Sequence, residues 1–208
     1  MAAKDLRQER AARKRSQILD AARTLFVSSG YAATSMDAVV AKAGVSKQTL
    51  YRYFPSKTDL LVSVLADEFS FAQAAQTQTS PPHTLDDVRD ALLLMARTLT
   101  ARLMMPEYIE FFRLVLGEAI RVPEARRTLR QSGPSQLLAS AEAILRAGDA
   151  ARLIHVPRPD LSARMFVGPV FSFVALDGLL STTPPTRPSE DELAAIVDAF
   201  LLTVRADG

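Results

Sequence analysis

The sequence predicts an all-α chain in two parts, a small basic N-terminal module followed by a larger helical bundle. Three observations predict it. Apolar residues recur at i, i+3, i+4 and i+7 through the long segments, and no alternating stretch of useful strand length occurs. Helix-start residues, chiefly Ser and Thr followed three positions later by an acidic residue, and helix-stopping Gly and Pro punctuate the chain at helical intervals. Charge is divided as well: residues 1–60 carry 11 Lys and Arg against 5 Asp and Glu, a net of +6, whereas residues 61–208 carry 14 against 18, a net of −4. All five lysines, at positions 4, 14, 42, 47 and 57, fall in the basic part. Such asymmetry fits a polyanion-facing module joined to an ordinary body, and a merely solvated basic face is the competing explanation.

Residues 1–12 are polar and charged and read as a flexible arm or the loose first turns of a helix. From Arg13 to Ser29 a stripe of Ile18, Ala21, Ala22, Leu25 and Phe26 marks a supporting helix that Gly30 stops. The stretch from Thr34 to Lys57 then organises the rest. Thr34 with Asp37 has the spacing of a capping box, and Met36, Val39, Val40 and Ala43 share one helical face. Gly44 supplies a sharp turn, Val45 fills the corner, and Ser46 caps a second helix that turns Leu50 and Phe54 inward before Pro55. At 100° per residue, Gln48 and Arg52 lie opposite that stripe, Thr49 and Tyr51 flank them, and Lys47 stands at the tip. This is a helix-turn-helix pattern, whose second helix enters the DNA major groove where amide, hydroxyl and cationic groups meet base edges and phosphates.

The residues Gly30-Tyr31, Thr34-Ser35-Met36-Asp37, Ala43-Gly44-Val45-Ser46-Lys47, Thr49-Leu50-Tyr51 and Tyr53-Phe54-Pro55-Ser56-Lys57 resemble the DNA-binding domain of TetR-family transcriptional regulators over residues 13 to 61. The resemblance implies a helix-turn-helix domain over 1–57 and a helical effector-binding and dimerisation domain over 58–208. It implies Ser46, Lys47, Gln48, Thr49 and Tyr51 as recognition-helix residues, with Lys47, Gln48 and Thr49 as base readers. Thr34, Ser35, Tyr53 and Lys57 are implied as phosphate clamps. Thr34 and Ser46 also fit plain N-caps, and Tyr53 fits partial packing under Phe54.

Ser56 with Asp59 opens a helix through Leu60, Leu61, Val64, Leu65 and Phe69, which in the resembled family links the two domains. Ser80-Pro81-Pro82-His83 is a loop, and Thr84 with Asp87 caps a helix carrying Leu85, Val88, Leu92, Met95 and Leu99 inward. After Pro106, residues 107–121 are apolar on more than one side, as in a central bundle helix, and Pro123 closes that segment. A further helical stretch from Glu124 towards Gly148 is interrupted at Ser132-Gly133-Pro134. Asp160 or Ser162 opens a helix reaching Leu180. Ser189 with Glu192 caps the last one, which shows Leu193, Ile196, Val197, Phe200, Leu201 and Val204 on one face, for about nine helices in all.

Phe69, Met95, Leu99, Met104, Phe111, Phe112, Leu116 and Phe171 are candidates to line an apolar effector pocket; each taken singly fits an ordinary core position better, and the expectation is only that some subset frames a cavity. Gly117-Glu118-Ala119 and Pro123 resemble the AefR-like subset of the family's effector domains. In the family the last two helices pair with those of a second subunit. That implies a homodimer interface of Phe166, Val170, Phe173 and Val174 with Ile196, Val197, Phe200 and Leu201; packing within one chain is the alternative.

Cysteine is absent, His83 and His155 are far apart, and there is no Gly-rich phosphate loop or serine elbow. These absences predict no catalytic residues, no metal and no cofactor. The N-terminus lacks an apolar stretch behind its charges, and the longest uncharged apolar run, Met165 to Leu176, has 12 residues, short of the ~18 needed to span a bilayer. A cytoplasmic transcriptional regulator is expected, a repressor in the commonest case. Its expected partners are a pseudo-palindromic DNA duplex, a second copy of itself and a small apolar or amphipathic effector. The alternative is a helical interaction protein whose basic N-terminal helix binds a membrane or an acidic partner.

Overall fold

The computed structural model describes the backbone of residues 2–74, 81–119, 121–131 and 133–205, and the side chains of residues 9–68, 81–118, 121–131 and 134–205. Among the described residues the regular elements are helical, with an isolated bridge pairing Ile154 and Arg205. They are α1 (Ala2–Ser29), α2 (Met36–Ala43), α3 (Lys47–Tyr53), α4 (Lys57–Ala74), α5 (Leu85–Leu103), α6 (Pro106–Ala119), α7 (Pro123–Gln131), α8 (Gly133–Ala150), α9 (Pro159–Phe173), a π-helical turn (Val174–Leu179) and α10 (Glu190–Thr203). The helix α1 starts at Ala2, so the segment expected as an arm or loose turns is wound into helix. Its Ala, Leu, Arg, Gln, Glu and Lys residues are all good helix formers. Pro123 begins α7 rather than merely ending α6, because a proline at the first helical position lacks only an N–H that would go unused there.

The chain forms two compact units. One comprises Met1–Phe69 with Phe111–Arg130, the other Ser70–Glu110 with Gln131–Gly208. In the first, Ile18, Leu19, Ala22 and Phe26 of α1 are buried together with Val39 and Ala43 of α2, Leu50 and Phe54 at α3, and Leu60, Leu61, Val64 and Leu65 of α4. The Arg23 guanidinium lies 6.0 Å from the centre of the Phe111 ring and 3.0 Å from Glu68 Oε1, which ties α1 to α6 and to α4.

In the second unit, one apolar core is shared by Val88, Leu92 and Ala96 of α5, Ala141 and Leu145 of α8, Ala163, Phe166 and Val170 of α9, and Leu193, Val197 and Phe200 of α10. The two capping boxes expected in this unit form. Thr84 Oγ1 accepts from the Asp87 N–H at 3.1 Å while the Asp87 carboxylate accepts from the Thr84 N–H at 2.8 Å; Ser189 and Glu192 do the same for α10. The N–H groups of His83 and Thr84 hold the Asp87 carboxyl below its ordinary range. A bidentate Arg89–Asp198 pair and an Arg97–Glu190 pair link α5 to α10. The loop after α8 is held by Val156 N–H to Asp149 Oδ1 (2.9 Å) and His155 N–H to Val204 O (2.8 Å).

The α9 segment runs past an internal Pro169 into the π-helical turn, where the Leu180 N–H reaches back five residues to Ala175 O at 2.9 Å. This wider winding brings Gly178 against Ile109: a Cβ there would sit 2.6 Å from Ile109 Cδ1. The 21 residues Pro159–Leu179 are long and apolar enough, by length and composition, to cross a bilayer. One face of them, including Ala163, Phe166, Val170 and Val174, is nonetheless buried in this unit.

The structure gives the burial of two expected residue sets. Of the proposed dimer interface, Phe166, Val170, Val174, Val197, Phe200 and Leu201 are buried within a single chain, with the Phe166 and Phe200 rings 5.5 Å apart, and Ile196 packs on the same core. Phe173 is partly buried. The strongest apolar periodicity marked the inward face, and the outer face of α9 and its extension is a second stripe: Leu161, Met165, Leu176 and Leu180, all exposed. Of the pocket candidates, Met104 and Phe111 are fully buried, Phe112 is buried, Met95 and Leu99 pack on the second unit's core, and Phe171 is half-buried. Leu116 is exposed. The Phe69 side chain lies outside the described residues.

Truncating the bracing side chain of the first unit is expected to unfold it. Phe26→Ala should cost about 3–5 kcal/mol in urea melts, because the ring is fully buried, whereas Leu94→Ala on an exposed face should change stability by less than about 0.5 kcal/mol.

Candidate nucleic-acid interface

The corner between α2 and α3 is set by hydrogen bonds. Gly44 takes φ 61° and ψ 33°, the left-handed region, and its N–H donates to Ala41 O at 3.3 Å while that of Val45 reaches Val40 O at 3.3 Å. The pattern is a Schellman close, and a side chain at Gly44 would be strained by its φ although nothing lies within 4 Å of a Cβ there. The N-cap of α2 is Ser35, whose Oγ accepts from the Ala38 N–H at 3.1 Å, not Thr34 as the Thr34/Asp37 spacing suggested. Thr34 is buried at 4% exposure, and its hydroxyl faces Gly30 O at 2.8 Å and Leu25 O at 3.2 Å. It closes the turn between α1 and α2, where Gly30 takes φ 82°, and presents no hydroxyl to a phosphate.

Ser46 caps α3 by accepting from the Thr49 N–H at 3.1 Å, and the two hydroxyls bond each other at 2.8 Å. Leu50 and Phe54 are buried, at 0% and 2% exposure, which fixes which side of α3 faces out. Lys47, Gln48, Tyr51 and Arg52 are exposed on that side, Ser35 is exposed at the start of α2, and Thr49 and Tyr53 are partly buried. The Tyr53 and Phe54 rings lie 6.3 Å apart, and Arg52 stands 5.1 Å over the Tyr53 ring.

Two lysines have partners that the sequence did not disclose. Lys47 Nζ is 2.8 Å from Asp37 Oδ1, and that hydrogen bond and charge raise the ammonium above its ordinary pKa. Both groups are more than 60% exposed, so the pair is open to competition by a duplex. Lys57 Nζ donates to three backbone carbonyls, Tyr31 O at 2.7 Å, Thr34 O at 2.9 Å and Ala32 O at 3.0 Å. An ammonium has three protons, and each has a backbone carbonyl within hydrogen-bond distance here. Arg52 was absent from the expected contact set although its spacing of four from Gln48 places it on the same face. Asp37 was read as a cap, and nothing in its spacing announced Lys47.

A three-helix unit whose capped second and third helices meet at a left-handed glycine, with the polar side of the third turned outward, defines a helix-turn-helix DNA-binding protein. Residues 18–64 match the model of "Bacterial regulatory proteins, tetR family", and residues 90–205 match that of "AefR-like transcriptional repressor, C-terminal domain". The chain therefore belongs to the TetR family of transcriptional regulators. It is 51% identical over 65 residues to the HTH-type transcriptional repressor KstR of Rhodococcus jostii, a stretch that is 31% of each chain. The similarity thus spans under a third of that relative's length. Among solved structures, a putative TetR-family regulator from Mesorhizobium loti superposes with a TM-score of 0.74 at 30% identity, covering 94% of this chain and 98% of that one. The flavonoid-responsive regulator FrrA superposes with a TM-score of 0.76 at 29% identity, covering 95% and 100%.

Removing the partner of Lys47 should tighten DNA binding. Asp37→Asn is expected to raise affinity for any duplex by about threefold and to steepen the salt dependence by roughly one counterion, in fluorescence anisotropy at several salt concentrations. Gln48→Ala should instead change the preferred sequence.

Proposed function

We propose that the protein is a cytoplasmic, homodimeric and non-enzymatic repressor that binds a pseudo-palindromic operator and is released from it by a small apolar or amphipathic effector. The observation that carries the proposal is the outward polar side of α3 on a rigid apolar brace, in a segment 51% identical to a named repressor. Lys47, Gln48, Tyr51 and Arg52 are its contacts from α3, and Ser35 is placed to meet a phosphate at the α2 N-terminus. Residues 1–57 serve DNA binding and 58–208 serve effector binding and dimerisation. The competing role, a basic helix bound to a membrane or an acidic partner, draws no support from the family matches.

Dimerisation uses the outer faces of the last helices. Leu161, Met165, Leu176 and Leu180 on one, with Ala195, Ala199 and Leu202 on α10, are exposed at i, i+4 or similar helical spacings. Exposed apolar side chains spaced in this way along two helices suit a protein interface. Two copies would set their α3 helices about 34–36 Å apart, one turn of the duplex, or a larger family spacing. An effector favouring the wrong separation weakens operator binding by the difference of its affinities for the two states, about 1–3 kcal/mol in typical coupling. The similarity to FrrA, a flavonoid-responsive regulator, supports planar aromatic compounds as the first effectors to try.

Selection from a random DNA pool should enrich one inverted repeat, and its release should be screened with a flavonoid panel; a pool that stays random after repeated rounds contradicts the proposal. Leu176→Glu with Leu180→Glu should give a monomer in light scattering and lower operator affinity about 100-fold, since the second half-site then loses its intramolecular advantage. A stable dimer in that variant would exclude this face.

A further inference from the structure

The half-buried Lys57 ammonium in the first unit is bonded to three backbone carbonyls of the turn between α1 and α2. We infer that Lys57 is a positioning residue for DNA reading: it fastens the first turn of α4 to the turn between α1 and α2 and thereby sets the tilt of α3. The inference rests on the reading of α3 as the DNA-contacting helix.

The geometry is a closed strap. Lys57 Nζ donates to Tyr31 O, Thr34 O and Ala32 O at 2.7, 2.9 and 3.0 Å, and lies 4.5 Å from the centre of the Tyr31 ring. Charge-assisted bonds to three converging carbonyls, with an aromatic face alongside, leave no proton for a phosphate. A second tie sits beside the first, since the Tyr31 and Thr58 hydroxyls are 3.3 Å apart. Tyr31 is in turn held to the core by Phe26, their rings 5.4 Å apart, and the Thr34 hydroxyl closes the same turn onto Gly30 O and Leu25 O.

Everything between the two ends of the strap is the reading device itself. Residues 35–56 contain α2, the Gly44 corner and α3, and Phe54 and the short Pro55-Ser56 link lead directly to Lys57. Fixing residue 57 on residues 31–34 therefore fixes both ends of the helix-turn-helix against one another. Arginine cannot replace it: a planar fork presents its donors in a plane and cannot converge three of them on one point as an ammonium does.

The test compares wild type, Lys57→Arg and Lys57→Met on the selected operator and on a random duplex, each over a salt series at a temperature where circular dichroism shows all three folded. Expected for both variants is an operator affinity lower by about tenfold, from misaligned base contacts, with random-duplex affinity within about twofold and the salt slope unchanged. Two results would overturn the inference. One is Lys57→Arg binding the operator like wild type while Lys57→Met loses operator and random duplex together with about one unit of salt slope, which assigns a phosphate contact. The other is an equal proportional loss on both duplexes without a slope change, which assigns a purely structural role. Should Lys57→Met fail to fold, Lys57→Arg alone decides, because it keeps the charge and alters only the geometry. Wild type that selects no operator refutes the DNA-binding reading and the strap with it, an outcome separable from any variant effect.

Discussion

The left-handed conformation of Gly44, at φ 61°, is the constraint on which the rest of the first unit depends. A residue with a Cβ pays about 1–2 kcal/mol to stay there, and without that conformation α2 cannot stop and α3 start within three residues. Because the corner is sharp, Val39, Ala43, Leu50 and Phe54 all reach the apolar centre built by α1 and α4. Because those four are inside, Lys47, Gln48, Tyr51 and Arg52 are outside. The functional face is thus the complement of the core, and its position follows from packing and not from any property of the polar residues themselves.

Much of this was legible in the residues. Gly44, Ser46, Leu50 and Phe54 announce a helix end, a cap and an inward pair by rules that act within a few positions, and of the four capping boxes expected, Thr84/Asp87 and Ser189/Glu192 appear as read. What failed to show is of two kinds. Local ambiguity is one: Thr34 and Ser35 are adjacent hydroxyl residues, and only the buried turn onto Gly30 O decides that Ser35 caps. Distant pairing is the other. Lys57 meets carbonyls 23 to 26 residues earlier, and no periodicity encodes that.

The second unit shows a related limit. Periodicity marks the most apolar face of a helix, which here is the face turned into the chain's own core, as Phe166 on α9 and Phe200 on α10 demonstrate. A second copy then meets what is left, and Leu176 and Leu180 stand out only once the core has been subtracted. The π-helical turn escaped the sequence as well, since Val-Ala-Leu-Asp-Gly-Leu reads as ordinary helix and its close fit of Gly178 on Ile109 joins residues far apart in the chain.

Charge on this surface is also a matter of partners as much as of counting. The net of +6 over residues 1–60, which already sets Asp37 against Lys47, overstates what a duplex would meet, because the Lys57 ammonium is engaged by backbone carbonyls. The central claim, that α3 is the surface that meets DNA, is tested most directly by amide hydrogen exchange with and without the selected operator. The account predicts that added protection is concentrated in residues 46–53 and the start of α2. Protection confined to the basic first half of α1, with 46–53 unchanged, would contradict it.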